Sequence, residues 1–146
     1  MLAAEDYFVG PDVDITRLNA LRPDELLTAV RLPSTWADAQ FYFEKVRDRN
    51  VWDFALMSVA SALVTSADRI GRIRIAVNGA SARPLRLAAV EVAMRGRPRN
   101  LETAKMAGGL AVRGAEALQF NAYKVPLMRN LVMRSIGARG ETTWAS

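Results

Sequence analysis

Residues 41–58, FYFEKVRDRNVWDFALMS, gather aromatic and charged side chains in one short stretch of the chain. Lys45 and Arg49 supply cations that can hold an anionic group, and Asp53 supplies a carboxylate that can pair with them or cap a turn. Trp52 can stack on a flat heterocyclic ring. Two interpretations follow: a solvated charged turn between two strands, or a loop that lies against a flat, charged ligand.

The chain contains no cysteine and no histidine, which removes most catalytic chemistry. Disulfides, thiolate nucleophiles and cysteine-ligated clusters or zinc are excluded, and the usual general base and nitrogen metal ligand are missing. The glycine-rich phosphate loops GxGxxG and GxxxxGKS/T are absent as well. We therefore expect no catalytic residue, no metal site and no self-contained hydrolase triad in this chain.

The charge balance is basic, with a formal net charge of +5 and a pI of ≈ 10.2. Only three of the 20 basic residues are lysine, at positions 45, 105 and 124. Ordinary surface pairing accounts for such a composition, and a surface for an anionic ligand or an acidic partner is the alternative. The basic residues are scattered rather than clustered in runs, which disfavours a nucleic-acid-binding module.

Length and apolar patterning are those of one globular domain. A chain of 146 residues can bury roughly two thirds of the surface that it exposes when unfolded. No apolar run approaches the ~20 residues that a membrane span needs. The opening residues, MLAAEDYFVGPD, are acidic and short of apolar character, so we do not expect a secretory signal there.

Strand patterns occupy the first half of the chain, after an irregular lead-in over residues 1–24. Four stretches have the alternation, or the apolar and aromatic character, of strands: 25–33, 40–46, 55–65 and 70–78. The sequence SADRIG predicts a hairpin turn between the last two stretches, so we expect these to pair antiparallel. Phe43, in the aromatic stretch, is expected to lie in the core.

Helix patterns occupy the second half of the chain, over 85–96, 101–114 and 121–137. Asn100 is a good N-cap for the second helix. The glycine pair at 108–109 weakens that helix but permits close packing. In the third helix Asn121 is expected to be the cap and Tyr123 to pack. Pro126 conflicts with that cap because it would lose a backbone bond to Ala122, so the regular helix is expected to start a residue or two later, with Pro126 in its first turn. Strands followed by helices predict the α+β class, with the two kinds of element segregated.

Four segments resemble one known family in their order and spacing: LRPDELLTAVRLP, FYFEKVRDRNVWDFALMSVASAL, GRIRIAVNGASARPLRLAAVEVAMRG and FNAYKVPLMRNLVMRSI. The chain is similar over residues 5–137 to the C-terminal domain of the FAD-binding (medium) subunit of molybdenum hydroxylases. That group includes xanthine dehydrogenase, aerobic carbon monoxide dehydrogenase and aldehyde oxidoreductases. We expect this domain to span 25–137, preceded by the lead-in 1–24 and followed by a flexible tail, 138–146.

The resemblance implies a three- to four-stranded antiparallel sheet followed by a three-helix bundle. It also implies FAD as the cofactor, shared with an N-terminal FAD domain whose two glycine-rich loops this sequence lacks. Electrons would pass to that FAD from a molybdenum cofactor through iron–sulfur clusters, both carried by partner subunits. Neither nucleic acid nor membrane is expected as a partner. The expected compartment is the cytoplasm, or the periplasm by way of a partner's export signal.

The resemblance also gives four residues a cofactor-binding role. Lys45 matches a lysine that contacts FAD, where a cation can stabilise negative charge on the flavin ring or reach a phosphate. Asp53 matches an acidic position near the flavin. Arg49 would pair with Asp53 or face the ligand, and Trp52 would cover the ring. Alternatively each residue is structural, and the chain is an assembly scaffold that is not catalytic by itself.

The outer arginines of the predicted strand 70–78 are a separate case. Arg72 and Arg74 alternate with apolar side chains, so they are expected on the exposed side of that strand. A solvated face is one interpretation, and a subunit contact is the alternative.

Overall fold

Four antiparallel strands form one sheet, with helices packed on one of its faces. The computed structural model describes residues 1–137, and the tail predicted to be flexible, 138–146, lies outside the described residues. Along the chain the elements are α1 (Ala4–Tyr7), a 3₁₀ turn (Ser34–Trp36), β1 (Gln40–Val46), β2 (Met57–Ser66), β3 (Arg69–Asn78), β4 (Leu85–Arg86), α2 (Ala88–Met94), α3 (Leu101–Ala111) and α4 (Lys124–Gly137). The strand order is β1-β2-β3-β4. The predicted α+β architecture is confirmed.

The β2–β3 hairpin sets the centre of the sheet. Ala67 and Asp68 form its two-residue turn with φ angles of 46° and 58°, the left-handed conformations that a tight hairpin of this kind requires. β1 lies antiparallel to β2, with Val46 opposite Met57 where the two strands meet the intervening loop. The strands predicted at 40–46, 55–65 and 70–78 are therefore confirmed.

One face of the sheet and the three long helices bury the core. Buried side chains alternate along β2 and β3 and meet apolar side chains of α2, α3 and α4: Met57, Val59, Leu63, Ile73, Ile75, Val77, Val90, Met94, Ala104, Ala107, Leu131, Val132 and Ile136. Gly108 lets α3 and α4 approach closely, because a Cβ there would lie 2.7 Å from the carbonyl oxygen of Arg129. The close packing predicted for the glycine pair is thus found at Gly108.

The strand predicted at 25–33 is wrong. Residues 25–33 belong to no helix or strand, and every one of them is exposed. The alternation in this segment is real, but a strand also needs a neighbour that accepts and donates backbone hydrogen bonds. Among residues 1–137 no strand lies beside it.

The placement of Phe43 in the core is also wrong. Phe43 is 52% exposed, because β1 turns its even-numbered side chains toward the helices. Tyr42 and Val46 pack against the core, opposite the buried Ser61 and Met57 of β2. Phe43 therefore lies on the other side of the sheet, which we call the outer face; it also carries Phe41, Lys45, Arg72 and Arg74.

The helices lie inside their predicted ranges. Residues 85–96 are divided, since Leu85 and Arg86 form β4 and α2 begins only at Ala88. Asn100 caps α3 as predicted: its side-chain oxygen accepts the N–H of Thr103 at 2.9 Å. Pro126 falls within the first turn of α4, also as predicted.

Asn121 and Tyr123 differ from their predicted roles. The Oδ1 atom of Asn121 accepts the N–H of Leu118 at 2.6 Å, inside the loop that precedes α4, instead of capping the helix. The cause is that α4 begins three residues later than predicted, at Lys124. Tyr123, predicted to pack, is exposed.

Candidate functional site

The stretch between β1 and β2 is a closed loop at one end of the sheet. The N–H of Leu56 donates to the carbonyl of Val46 at 2.8 Å, which joins the two ends of the loop. We call residues 47–55 the site loop. All of its residues are exposed except Asp53 and Ala55, which are half-buried. The loop therefore presents most of its side chains to any partner at this end of the molecule.

Asp53 organises the site loop from within. Its Oδ2 atom accepts the backbone N–H groups of Asp48 at 3.0 Å and Arg49 at 2.8 Å. The Arg49 guanidinium lies 3.6 Å from Oδ1. The hydrogen bond from the Arg49 N–H is the main cause that lowers the pKa of Asp53, against a smaller opposing effect of burial. Asp53 is therefore a carboxylate at neutral pH, and its negative charge is already engaged by groups of the site loop itself.

Lys45 ties the end of β1 to the end of the site loop. Its Nζ donates to the backbone carbonyl of Asp53 at 2.6 Å. No ion pair among residues 1–137 involves Lys45. An ammonium has three N–H donors, so two remain for a further acceptor. The half-buried Lys45 thus provides a positioned positive charge at the outer face.

Trp52 is held outward by the backbone. Its φ of 53° is in the left-handed region, which residues other than glycine seldom adopt. The Arg49 guanidinium stabilises this turn by donating to the Trp52 carbonyl at 3.2 Å. The Trp52 side chain is 97% exposed. The Trp52 ring is therefore not part of the core of residues 1–137.

A lysine that the sequence reasoning left out supports the site loop from behind. Lys124, at the start of α4, donates from Nζ to the carbonyl of Gly79 at 2.8 Å. Gly79 has a φ of 87°, and a Cβ there would lie 2.7 Å from the carbonyl oxygen of Leu56. Gly79, which follows β3, therefore contacts both Lys124 of α4 and Leu56 at the base of the site loop. The available signal was that Lys124 is one of only three lysines.

Arg72 and Arg74 are not simply solvated. Each guanidinium lies 5.6 Å from the centre of the Trp36 ring, a cation–π distance. Arg74 also pairs with Glu91 of α2 at 3.0 Å. Trp36 precedes β1 by four residues, so its contact with β3 carries the chain across the outer face before β1 begins. Both arginines thus have a structural role within the chain.

Residues 1–137 contain no group of three or more carboxylate side chains placed to hold a metal ion. None of the helices in this part of the chain has the length and hydrophobicity of a membrane span.

Residues 41–138 match the family model of the CO dehydrogenase flavoprotein C-terminal domain. The chain belongs to this family. It is 31% identical over 149 residues to the nicotine 6-hydroxylase medium subunit of Paenarthrobacter nicotinovorans, an alignment that covers 97% of this chain and 49% of that subunit. The chain therefore spans about half the length of the curated relative that it matches.

Solved structures show the same fold. The reconstituted CO dehydrogenase from Oligotropha carboxidovorans has a TM-score of 0.73 at 23% identity, over 92% of this chain and 46% of that chain. Quinoline 2-oxidoreductase from Pseudomonas putida 86 has a TM-score of 0.62 at 22% identity, over 67% of this chain and 35% of that chain. The resemblance read from the sequence, to the C-terminal domain of a flavoprotein subunit, is confirmed.

The structure brings together three of the four residues assigned to the cofactor. Lys45, Arg49 and Asp53 form one hydrogen-bonded unit, through the Asp53 carboxylate and carbonyl. Trp52 joins this unit through its backbone carbonyl, which accepts from Arg49, while its side chain is almost fully exposed. Phe54 beside it is similarly exposed, at 93%.

Proposed function

We propose that this chain forms the C-terminal half of the FAD-binding medium subunit of a molybdenum hydroxylase. In this proposal Lys45 and the site loop form one wall of the flavin site. The observation that carries it is the Lys45 ammonium, which donates to one backbone carbonyl and makes no ion pair with a carboxylate among residues 1–137. Such a cation is suited to an anionic or electron-rich ligand.

The residues around Lys45 fit a flavin dinucleotide chemically. Two unused N–H donors of the ammonium can bind a phosphate or a carbonyl oxygen of the flavin ring. The exposed ring of Trp52 offers a flat apolar surface for stacking. Asp53 does not oppose an anionic ligand strongly, because its carboxylate is already engaged by two N–H groups and Arg49. Lys45, Trp52 and Arg49 would contact the flavin, and Asp53 would hold the loop.

The whole complex is part of the proposal. Bound FAD would carry electrons from iron–sulfur clusters to an acceptor. A companion half of the medium subunit would supply the glycine-rich loops for the FAD diphosphate. The iron–sulfur clusters and the molybdenum cofactor would reside on partner subunits, and the assembly would work in the cytoplasm or, by a partner's export signal, in the periplasm.

Flavin content of the assembled complex tests the proposal. The chain, co-produced with its companion half, should purify with a flavin absorbance spectrum. Lys45→Met should weaken flavin retention by roughly tenfold, which corresponds to about 1.4 kcal/mol. Lys105→Met on α3 is the matched control and should retain flavin as the unmodified chain does. An assembled complex without flavin would contradict the proposal.

An assembly scaffold that makes no flavin contact is the second candidate. The observation that favours it is the self-contained hydrogen bonding of the site loop, in which Lys45, Arg49 and Asp53 all have partners within the chain. The Lys45→Met variant separates the two functions. A scaffold predicts unchanged flavin content and an unchanged flavin reduction potential in a complex that still assembles.

A further inference from the structure

Asn78 and Gly79, at the end of β3, form a pair whose geometry favours a reaction within the backbone. The chain has six asparagines, and only Asn78 is followed by glycine. The Gly79 N–H donates to the Asn78 Oδ1 atom at 2.9 Å, so the backbone nitrogen of Gly79 lies beside the side-chain amide of Asn78. A nucleophile that is already held next to its electrophile reacts without a bimolecular encounter.

The Gly79 nitrogen has no competing contact. Among residues 1–137 its N–H has no backbone acceptor and donates only to the Asn78 side chain. Gly79 also has no Cβ that could shield the nitrogen. Asn78 is exposed, so water and hydroxide reach both reacting groups.

The other five asparagines lack this arrangement. Three of them accept a backbone N–H two or three residues away in the chain: Asn19, Asn100 and Asn121. Asn130 lies within α4. Asn50 is exposed like Asn78, but Val51 follows it, and a β-branched side chain crowds the nitrogen that would react. Asn50 is therefore the internal control for Asn78.

We propose that Asn78 is a site of spontaneous deamidation, with the Gly79 nitrogen as nucleophile and water as co-reactant. The Gly79 nitrogen loses its proton to hydroxide and bonds to Cγ of Asn78, and the side-chain nitrogen takes up a proton and leaves as ammonia. Water then adds to one of the two carbonyls of the cyclic imide and opens the ring. The product at position 78 is aspartate or isoaspartate, and nothing is oxidised or reduced.

The isoaspartate product alters the base of the site loop. Gly79 packs so closely that a Cβ there would lie 2.7 Å from the carbonyl oxygen of Leu56. Its own carbonyl accepts the Lys124 Nζ at 2.8 Å. Isoaspartate inserts an additional methylene into the backbone immediately before Gly79, and these contacts leave no space for it. The contact of Gly79 with Leu56 or with Lys124 must therefore change.

Both products also add a negative charge near Lys45. Asn78 lies opposite Ser58 in the sheet, and Ser58 lies opposite Lys45. Two strand spacings separate the new carboxylate from Lys45, which is roughly 10 Å and about one Debye length in dilute salt. Deamidation therefore reduces the positive potential around Lys45.

Ageing of the full chain tests the modification. The chain would be incubated at neutral and at mildly alkaline pH, then digested under acidic conditions and analysed by mass spectrometry. Conversion of the amide to the acid should be at least about tenfold faster at Asn78 than at Asn50, and it should accelerate with hydroxide concentration. Isoaspartate would be identified with protein isoaspartyl methyltransferase. Conversion at Asn78 no faster than at Asn50, or an acid product without isoaspartate, would overturn the inference.

Asn78→Gln separates the reaction from other effects of ageing. Its longer side chain retains the amide but closes a larger ring much more slowly, so position 78 should stay unmodified. Asn50→Gln is the matched control and should leave conversion at Asn78 unchanged. If Asn78→Gln forms isoaspartate in the same peptide as fast as the unmodified chain, the Asn78 amide is not the reacting group and the inference fails.

Hydrogen exchange at Leu56 tests the consequence for the site loop. In the aged chain this amide should exchange about fivefold faster than in the fresh chain, the factor that corresponds to one lost hydrogen bond. Aged Asn78→Gln should exchange as the fresh protein does. An unchanged Leu56 amide in fully converted chain, or equal acceleration in aged Asn78→Gln, would overturn the effect on the loop. These measurements involve no flavin, so their outcome is independent of the proposed function.

Discussion

Replacing Glu91 should destabilise the junction between α2 and the sheet. Glu91 is only 2% exposed. Its Oε1 accepts the N–H of Ile75 at 3.2 Å, and the guanidiniums of Arg74 and Arg86 lie 3.0 Å and 2.8 Å from Oε2. Burial alone would raise the pKa of Glu91, but the bonds from Arg86 and Ile75 and the charges of both arginines together lower it. The side chain is therefore ionised at neutral pH.

The size of the effect follows from the contacts that are lost. Glu91→Ala leaves the Ile75 N–H without its acceptor, which costs about 1–3 kcal/mol, and removes one buried methylene worth about 0.8 kcal/mol. The side chains of Arg86 and Arg74 are 37% and 48% exposed, so both regain water and each lost pair adds less than about 1 kcal/mol. We expect a loss of about 3 kcal/mol, or a Tm lower by about 6–12 °C in a domain of this size.

Thermal or urea unfolding of Glu91→Ala and Glu91→Gln is the assay. Glu91→Gln keeps an acceptor for Ile75 and loses the charge, so it should cost about 1 kcal/mol at pH 7. Because the folded-state pKa is lowered, the charge contributes stability above the ordinary value of 4.5, and this contribution disappears as the pH falls through the folded-state pKa. A Glu91→Ala protein as stable as the unmodified one, or a Gln penalty that grows on acidification, would refute the reasoning.

Four further substitutions test the packing and the site loop. Gly108→Ala should destabilise by about 1–2 kcal/mol because its Cβ meets the Arg129 carbonyl. Gly109→Ala, with open space around it, should stabilise the domain by up to about 1 kcal/mol. If the free energy of unfolding changes with the same sign in Gly108→Ala and Gly109→Ala, this description of the packing is contradicted. Lys124→Met should speed hydrogen exchange at Leu56 by freeing Gly79 behind the site loop, while Lys105→Met should not, and equal exchange in both variants would argue against that support. Asp53→Asn should speed exchange of the Asp48 and Arg49 amides at neutral pH. Because the pKa of Asp53 is lowered, the same loosening should appear in the unmodified chain only when the pH falls below the ordinary value of 3.8; NMR amide exchange that is insensitive to both changes would contradict the role of Asp53.

Local patterns predicted the elements whose neighbours are close in sequence. The alternation of Ile73, Ile75 and Val77 identified β3, because a two-residue turn joins this strand to its partner β2. Asn100 identified the start of α3, because the cap bonds an amide three residues away. In both cases the contacts that determine the element join residues that are close in sequence.

The sequence predictions are wrong where the structure depends on contacts between residues that are far apart in the chain. Residues 25–33 carry the same alternation as β3, yet a pattern does not show whether a sheet edge lies beside it. The run Phe41–Tyr42–Phe43 allows either face to be buried, and pairing with β2 selects Tyr42. The contact of Lys124 with Gly79 joins residues 45 positions apart, so nothing local signals it. The contact of Lys45 with Asp53 spans eight residues of one loop, and the family resemblance pointed to both of its members.

Photolabelling of the assembled complex with 8-azido-FAD tests most directly whether the site loop faces the flavin. The account predicts that, among the peptides of this chain, the label concentrates on the one that contains Lys45, Trp52 and Asp53, and that Lys45→Met reduces it. Labelling confined to the companion half, in a complex that binds the analogue fully, would contradict the account and leave this chain as a scaffold.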